Sequence, residues 1–86
     1  MEGMYYFYVL ELKSSSRKRF YFGYTSDLKR RFLEHAKGKV ITTKDKNPEL
    51  VYYEAYGDKY SALAREKSVK SSGSVYNGLM KRLKLR

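Results

Sequence analysis

Residues 19–35, RFYFGYTSDLKRRFLEH from Arg19 to His35, decide the fold: an aromatic strand, a glycine exit, a polar hinge, then a basic amphipathic helix. In the strand, Tyr21 and Gly23 fall on one face and Phe20 and Phe22 on the other. Thr25 or Ser26 is suited to cap the helix, with Asp27 in the first turn where its charge favours the helix dipole. Leu28, Phe32 and Ala36 then form an apolar stripe, His35 falls inside it, and Arg31 stands on its flank one turn earlier. Lys29, Arg30 and Glu34 point outward, and Gly38 is placed to end the helix.

Upstream, Tyr5 to Leu12 is dense in aromatic and β-branched residues on both faces, the pattern of a strand central in its sheet. Lys13 to Lys18, KSSSRK, is a connection of hairpin length. The turn leaves the register open; if the register is odd, Tyr8 and Tyr21 share a face.

Downstream, Lys39 to Pro48 has no period and reads as a loop, expected to be mobile and open to a ligand through Lys39, Lys44 and Lys46. Leu50 to Tyr56 is a third strand. Asp58 is a cap for a helix through Lys70, in which Ala62, Leu63 and Val69 make the buried arc. Glu66 falls inside that arc, where desolvation demands a cation or hydrogen bonds. A lysine across the sheet or Arg65 of its own helix would serve. Ser71 to Ser74 breaks the pattern, and Val75, Leu79, Met80 and Leu83 mark a last helix carrying Lys81, Arg82, Lys84 and Arg86. The order β-β-α-β-α-α gives a small α+β fold, a three-stranded antiparallel sheet flanked by helices, as one domain over residues 1–86.

Composition narrows the function. The 86 residues carry 19 Lys and Arg against 9 Asp and Glu, a net charge of +10 spread along the whole chain. Such a surface suits phosphates, hence nucleic acid. The absence of cysteine and the single histidine exclude a thiolate or structural zinc site. No leader or apolar run of spanning length is visible, so the expectation is a cytoplasmic protein with no membrane partner. Glycine-rich phosphate loops and cysteine nucleophiles are also missing.

What remains is a set of hairpin tyrosines, Arg31 and His35 one turn apart, and Glu66 on an apolar helix face. Singly, each has a structural explanation: core tyrosines, a satisfied core histidine, an arginine stem lying on the core, an ion pair, and for Lys44 and Lys46 a solvated connection. Together they suit metal-assisted cleavage of a phosphodiester. One carboxylate can hold Mg²⁺, which keeps waters and takes phosphate oxygens as its other ligands. Arginine offers phosphate a planar fork. A tyrosine accepts a proton from water only if cations pull its pKa below the usual ~10.

These residues resemble the GIY-YIG nucleases, which include the amino-terminal nuclease domain of the excinuclease subunit UvrC and several homing endonucleases. The similarity runs from about Met4 to Gly73 and is strongest to the small single-domain, UvrC-like branch. Tyr6-Phe7-Tyr8 resembles the first signature and Tyr21-Phe22-Gly23 the second. Arg31 stands at the position of the family's catalytic arginine, His35 where many members carry histidine, and Glu66, in ALAREKSVK, at the metal-binding glutamate. The resemblance implies Tyr21 as general base, Tyr8 as hydrogen-bonding support and Arg31 as phosphate clamp. It further implies His35 as an auxiliary proton or phosphate group, and Glu66 as the ligand of Mg²⁺ or Mn²⁺. Tyr6 replaces the first signature's glycine, Tyr24 stands where the UvrC branch has lysine, and Asn77 is the nearest counterpart to a late active-site asparagine.

The expected function is a metal-dependent endonuclease acting on DNA in repair or recombination. Lys29, Arg30, Lys39, Lys44 and Lys46 would draw in the substrate, and DNA structure (branches, nicks or damage) or a protein partner would direct it. The alternative is a non-catalytic nucleic-acid-binding module that stacks bases on exposed tyrosines. A third reading is an interaction protein presenting its aromatic sheet.

Overall fold

The computed structural model describes residues 3–14 and 17–83. Ser15 and Ser16 of the expected hairpin turn, and Lys84 and Arg86 of the last helix, lie outside them. Strands β1 (Tyr5–Leu12), β2 (Phe20–Thr25) and β3 (Pro48–Tyr56) form one antiparallel sheet in the order β2-β1-β3. Helix α1 (Leu28–Ala36) follows β2, a 3₁₀ turn spans Ile41–Thr43, and α2 (Lys59–Ser71) and α3 (Gly73–Arg82) follow β3. The strand apolar on both faces is thus the central one, and Phe7, Tyr8, Val9 and Leu10 are all buried.

Each face of β1 has its own helical cover. Phe7 and Val9 pack with Val69 of α2 and Leu79 and Met80 of α3, the main core, with Phe20, Phe22 and Tyr52 around it. Tyr8 points to the other face, where His35 of α1 meets it. Tyr8 pairs with Gly23 and Leu10 with Tyr21, so the register is the one that places Tyr8 and Tyr21 on a common face. Their rings stack at 6.3 Å.

Several boundaries differ from the sequence reading, each for a local reason. The cap of α1 is Asp27, whose Oδ1 accepts from Arg30 N at 3.1 Å, while Thr25 Oγ1 accepts from Asp27 N at 3.0 Å and turns the chain into it. Ala36 is exposed, so the buried member of the helix is His35 rather than the alanine. β3 starts at Pro48, which an edge strand admits as a first residue because no partner needs its missing N–H. A bulge between Val9 and Leu10 pairs them with Tyr52 and Leu50, leaving Val51 extra, and both Val51 and Tyr52 pack on the core.

The segment between α1 and β3 is built rather than open. Gly38 leaves the helix at φ 75°, and Asp45 and Asn47 take the left-handed region at φ 61° and 49°. Main-chain bonds from Lys13 N to Asn47 O and from Ser14 N to Lys46 O tie it to the end of β1. Thr43 is wholly buried. This corrects the expectation of a mobile loop: lysines 39, 44 and 46 are exposed, but the backbone that carries them is pinned.

At the far end, Ser72 closes α2 and at once caps α3, accepting from Val75 N. Arg65 of α2 bonds Glu54 through both Nε (3.0 Å) and Nη2 (3.3 Å) and lies over the Phe7 ring. The Tyr52 and Tyr56 hydroxyls also donate to Glu54. No helix among the described residues is long and apolar enough to cross a membrane.

Candidate active site

The face of the sheet under α1 collects the chemistry. β1 supplies Tyr8, β2 supplies Tyr21 and Gly23, and α1 supplies Arg31 and His35, which spacing puts on the same side of the helix. Gly23 is required by contact rather than by φ: a Cβ there would overlap the Tyr8 ring and hydroxyl. The side-chain-free position directly opposite Tyr8 lets its ring lie flat across β2 toward α1.

Tyr8 is the hub. Its hydroxyl oxygen stands 2.9 Å from His35 Nε2 and accepts from Arg31 Nε at 3.4 Å. Burial pushes its pKa up to about 12, against the opposing pull of the Arg31 guanidinium, so the phenol stays protonated. A cation beside a tyrosine acidifies it only where it outweighs burial, and at Tyr8 desolvation wins.

Tyr21 is held by fewer contacts. Its ring packs edge-on against His35 at 4.9 Å and its side chain is half-buried, yet its hydroxyl makes no hydrogen bond to another described residue. Of the two stacked tyrosines, one hydroxyl is committed and the other is available.

His35 is 1% exposed, with Nδ1 2.7 Å from Thr43 Oγ1. Burial, reinforced by the Arg31 charge, lowers its pKa to about 4, so the ring is neutral at physiological pH. A ring so enclosed has no open face for a phosphate, and its Nε2 meets Tyr8 instead. Thr43 was missed by sequence reasoning, which had only a polar, aperiodic segment to work with. Arg31 donates from Nη1 to Glu34 at 3.1 Å, while its Nη2 has no described hydrogen-bond partner.

Glu66 approaches from α2, which contacts both β1 and β2. Its side chain is 21% exposed and pairs with Lys70 Nζ at 3.2 Å, one turn on. Neither structural partner suggested by the sequence applies, since Arg65 is spent on Glu54. The carboxylate lies close enough to Tyr8 to act on its hydroxyl electrostatically. No three His, Asp or Glu side chains converge among the described residues, so this carboxylate would hold a cation with waters and phosphate oxygens as the other ligands. That donor set fits Mg²⁺.

Lys29 and Arg30 lie exposed on α1. Lys29 edges an open cleft of about 710 Å³ lined also by Tyr6, Leu28, Phe32 and Leu50, beside Tyr8 along β1. Asn77 is exposed on α3, a helix whose Leu79 and Met80 pack on the Phe7 and Val9 face of the sheet.

The GIY-YIG catalytic domain model matches residues 4–78, a span that holds the stacked Tyr8 and Tyr21, the glycine beneath Tyr8 and Arg31 on the next helix. The chain belongs to the GIY-YIG family. Among its relatives, a UPF0213 protein of Haloquadratum walsbyi is 36% identical over 73 residues, covering 83% of this chain and 79% of its own. A UPF0213 protein of Lacticaseibacillus paracasei is 41% identical over 64 residues, 72% of this chain and 68% of that one. The solution NMR structure of a UPF0213 protein from Bacillus halodurans superposes with a TM-score of 0.55 at 30% identity, covering 94% of this chain and 85% of that one. The GIY-YIG family is a nuclease family, and the fold read from the sequence is the one that the Bacillus halodurans structure shares.

Proposed function

We propose that this GIY-YIG protein is a metal-dependent endonuclease that hydrolyses phosphodiester bonds in DNA, acting in repair or recombination. The observation that carries the reading is the division of labour on one sheet face. The Tyr8 hydroxyl is locked into a network, while beside it the Tyr21 hydroxyl and Arg31 Nη2 are left without described protein partners. Two such donors, partly exposed and uncommitted, suit an incoming phosphate and water.

In this mechanism Arg31 donates to non-bridging phosphate oxygens and offsets their growing charge. Tyr21 as general base takes the proton of the attacking water, and the leaving oxygen departs from phosphorus on the side opposite that water. Tyr8 remains a neutral phenol that anchors Arg31. Glu66 would hold Mg²⁺ or Mn²⁺, which when bound supplies charge stabilisation to the phosphate and the leaving group. Lys29, Arg30, Lys39, Lys44 and Lys46 would attract the backbone of branched, nicked or damaged DNA, with or without a targeting protein.

The test is incubation of wild type and Glu66→Ala with nicked, flapped and branched DNA, in Mg²⁺ and in EDTA. Wild-type cleavage in Mg²⁺ is expected, with a loss on the order of 10²-fold or more in Glu66→Ala and in EDTA. Cleavage that survives either treatment overturns the mechanism. Binding without cleavage on every substrate would favour a nucleic-acid-binding module, for which Tyr53 (52% exposed) and Tyr60 (82% exposed) offer stacking surfaces.

A further inference from the structure

Four polar groups run in a line beneath the site: Arg31 Nε, Tyr8 Oη, the His35 ring and Thr43 Oγ1, ending at the Val40 carbonyl. Proton counting decides its direction. Arginine only donates; Tyr8, neutral His35 and Thr43 each have one side-chain proton to place. In one arrangement Tyr8 donates to His35 Nε2, His35 Nδ1–H donates to Thr43 Oγ1, and Thr43 donates to Val40 O at 3.5 Å. Every proton then has an acceptor, and Tyr8 Oη keeps a lone pair for Arg31.

The reverse arrangement fails the same count. If Thr43 donated to Nδ1, the ring would carry its proton on Nε2 and give it to Tyr8 Oη, which already accepts from Arg31. The Tyr8 proton would then have no acceptor among the described residues, in a phenol that is 2% exposed. Leaving such a proton unpaired is costly.

We infer that Thr43 is a positioning residue whose hydroxyl accepts the His35 Nδ1 proton and so, together with the Tyr8 proton at Nε2, holds the Nδ1–H tautomer that leaves the Tyr8 oxygen to orient Arg31. The backbone around Thr43 supports this part. Thr43 N donates to Val40 O at 3.1 Å, Lys46 N donates to Thr43 O at 3.1 Å, and the side chain is fully buried. The pinned segment after α1 therefore supplies the far end of the line. Its effect on turnover rests on the nuclease reading; the tautomer does not.

His35 is the chain's single histidine, so its ring nitrogens can be read without ambiguity in the ¹⁵N-labelled full chain. At neutral pH the wild type is expected to show a protonated Nδ1 and an unprotonated Nε2. Thr43→Val, which keeps the shape but loses the hydroxyl, is expected to raise the Nε2–H fraction, and Thr43→Ser to restore the wild-type pattern. On a DNA substrate, Thr43→Val should lower kcat about tenfold at unchanged KM, with Thr43→Ser near wild type. A wild-type Nε2–H tautomer, or a Thr43→Val spectrum identical to wild type, overturns the inference. Equal losses of kcat in the two variants overturn its catalytic part, since packing alone would explain them. Should Thr43→Val fail to fold, Thr43→Ala, which also lacks the hydroxyl, is read in its place with the same expected and overturning outcomes. An inactive protein with the Nδ1–H tautomer sinks the nuclease reading and leaves the positioning intact.

Discussion

Tyr8 and Tyr21 are the same residue type on one sheet face, 6.3 Å apart, and their surroundings assign them different work. Replacing the Tyr21 hydroxyl, in Tyr21→Phe, removes a group with no described hydrogen bond. Stability should stay within about 0.5 kcal/mol of wild type in urea titration, while single-turnover cleavage falls on the order of 10²- to 10⁴-fold. Tyr8→Phe takes the donor from His35 and the acceptor from Arg31, so it should lose about 1–3 kcal/mol of stability as well as activity. His35 adds an acid sensitivity of definite sign. Its folded pKa, about 4, lies below the unfolded 6.5, so stability is complete above pH 6.5 and is lost as pH falls toward 4, because the unfolded chain takes up the proton first. The loss is on the order of 3 kcal/mol, and thermal melts of wild type against His35→Asn across that window should show the slope vanish in the variant. Glu54 acts with the same sign at lower pH. Burial alone would raise its pKa, but bonds from Tyr52, Tyr56 and Arg65 hold it below the ordinary carboxylate value.

At the scale of elements, the sheet divides the face of the candidate site from the face of the main core, and Glu54 with Arg65 is the polar knot of the second. Arg65→Met should cost about 1–3 kcal/mol in chemical denaturation, since it leaves a half-buried carboxylate with two phenol donors and no close cation but Arg82. The His35 ring signals should not move, because that knot lies beneath Phe7 and not beneath Tyr8. Periodicity and turn chemistry made the elements legible: all three strands, the three helices, the central place of β1 and the Asp58 cap follow from alternation, 3.6-residue spacing and cap residues. What stayed hidden depends on geometry that no local pattern encodes. Asp27 displaced Thr25 and Ser26 as cap through a turn bond inside the hinge. Thr43 is joined to His35 only once the chain has folded back, and Glu66 chose Lys70 because Arg65 points to the sheet.

For the whole molecule, the net charge of +10 predicts electrostatic binding that weakens steeply with salt. On duplex DNA, log Kobs should fall linearly with log salt, about 0.9 per phosphate neutralised. Removing Lys29 and Arg30 together should reduce that slope by about two phosphates while leaving the fold intact, since both side chains are exposed. Fluorescence anisotropy across a salt series measures both. A slope unchanged by the double variant would place the DNA backbone elsewhere on the surface.

Gly23 and Tyr8 face each other across the hairpin with no room for another carbon between them. The two aromatic signatures, fifteen residues apart in the chain, are therefore two halves of a single fitted object, and they carry less independent information than their separation suggests. A lineage that trades Tyr8 for a smaller side chain releases position 23 from glycine, and one that keeps the tyrosine cannot. Change at position 23 must therefore wait on change at position 8.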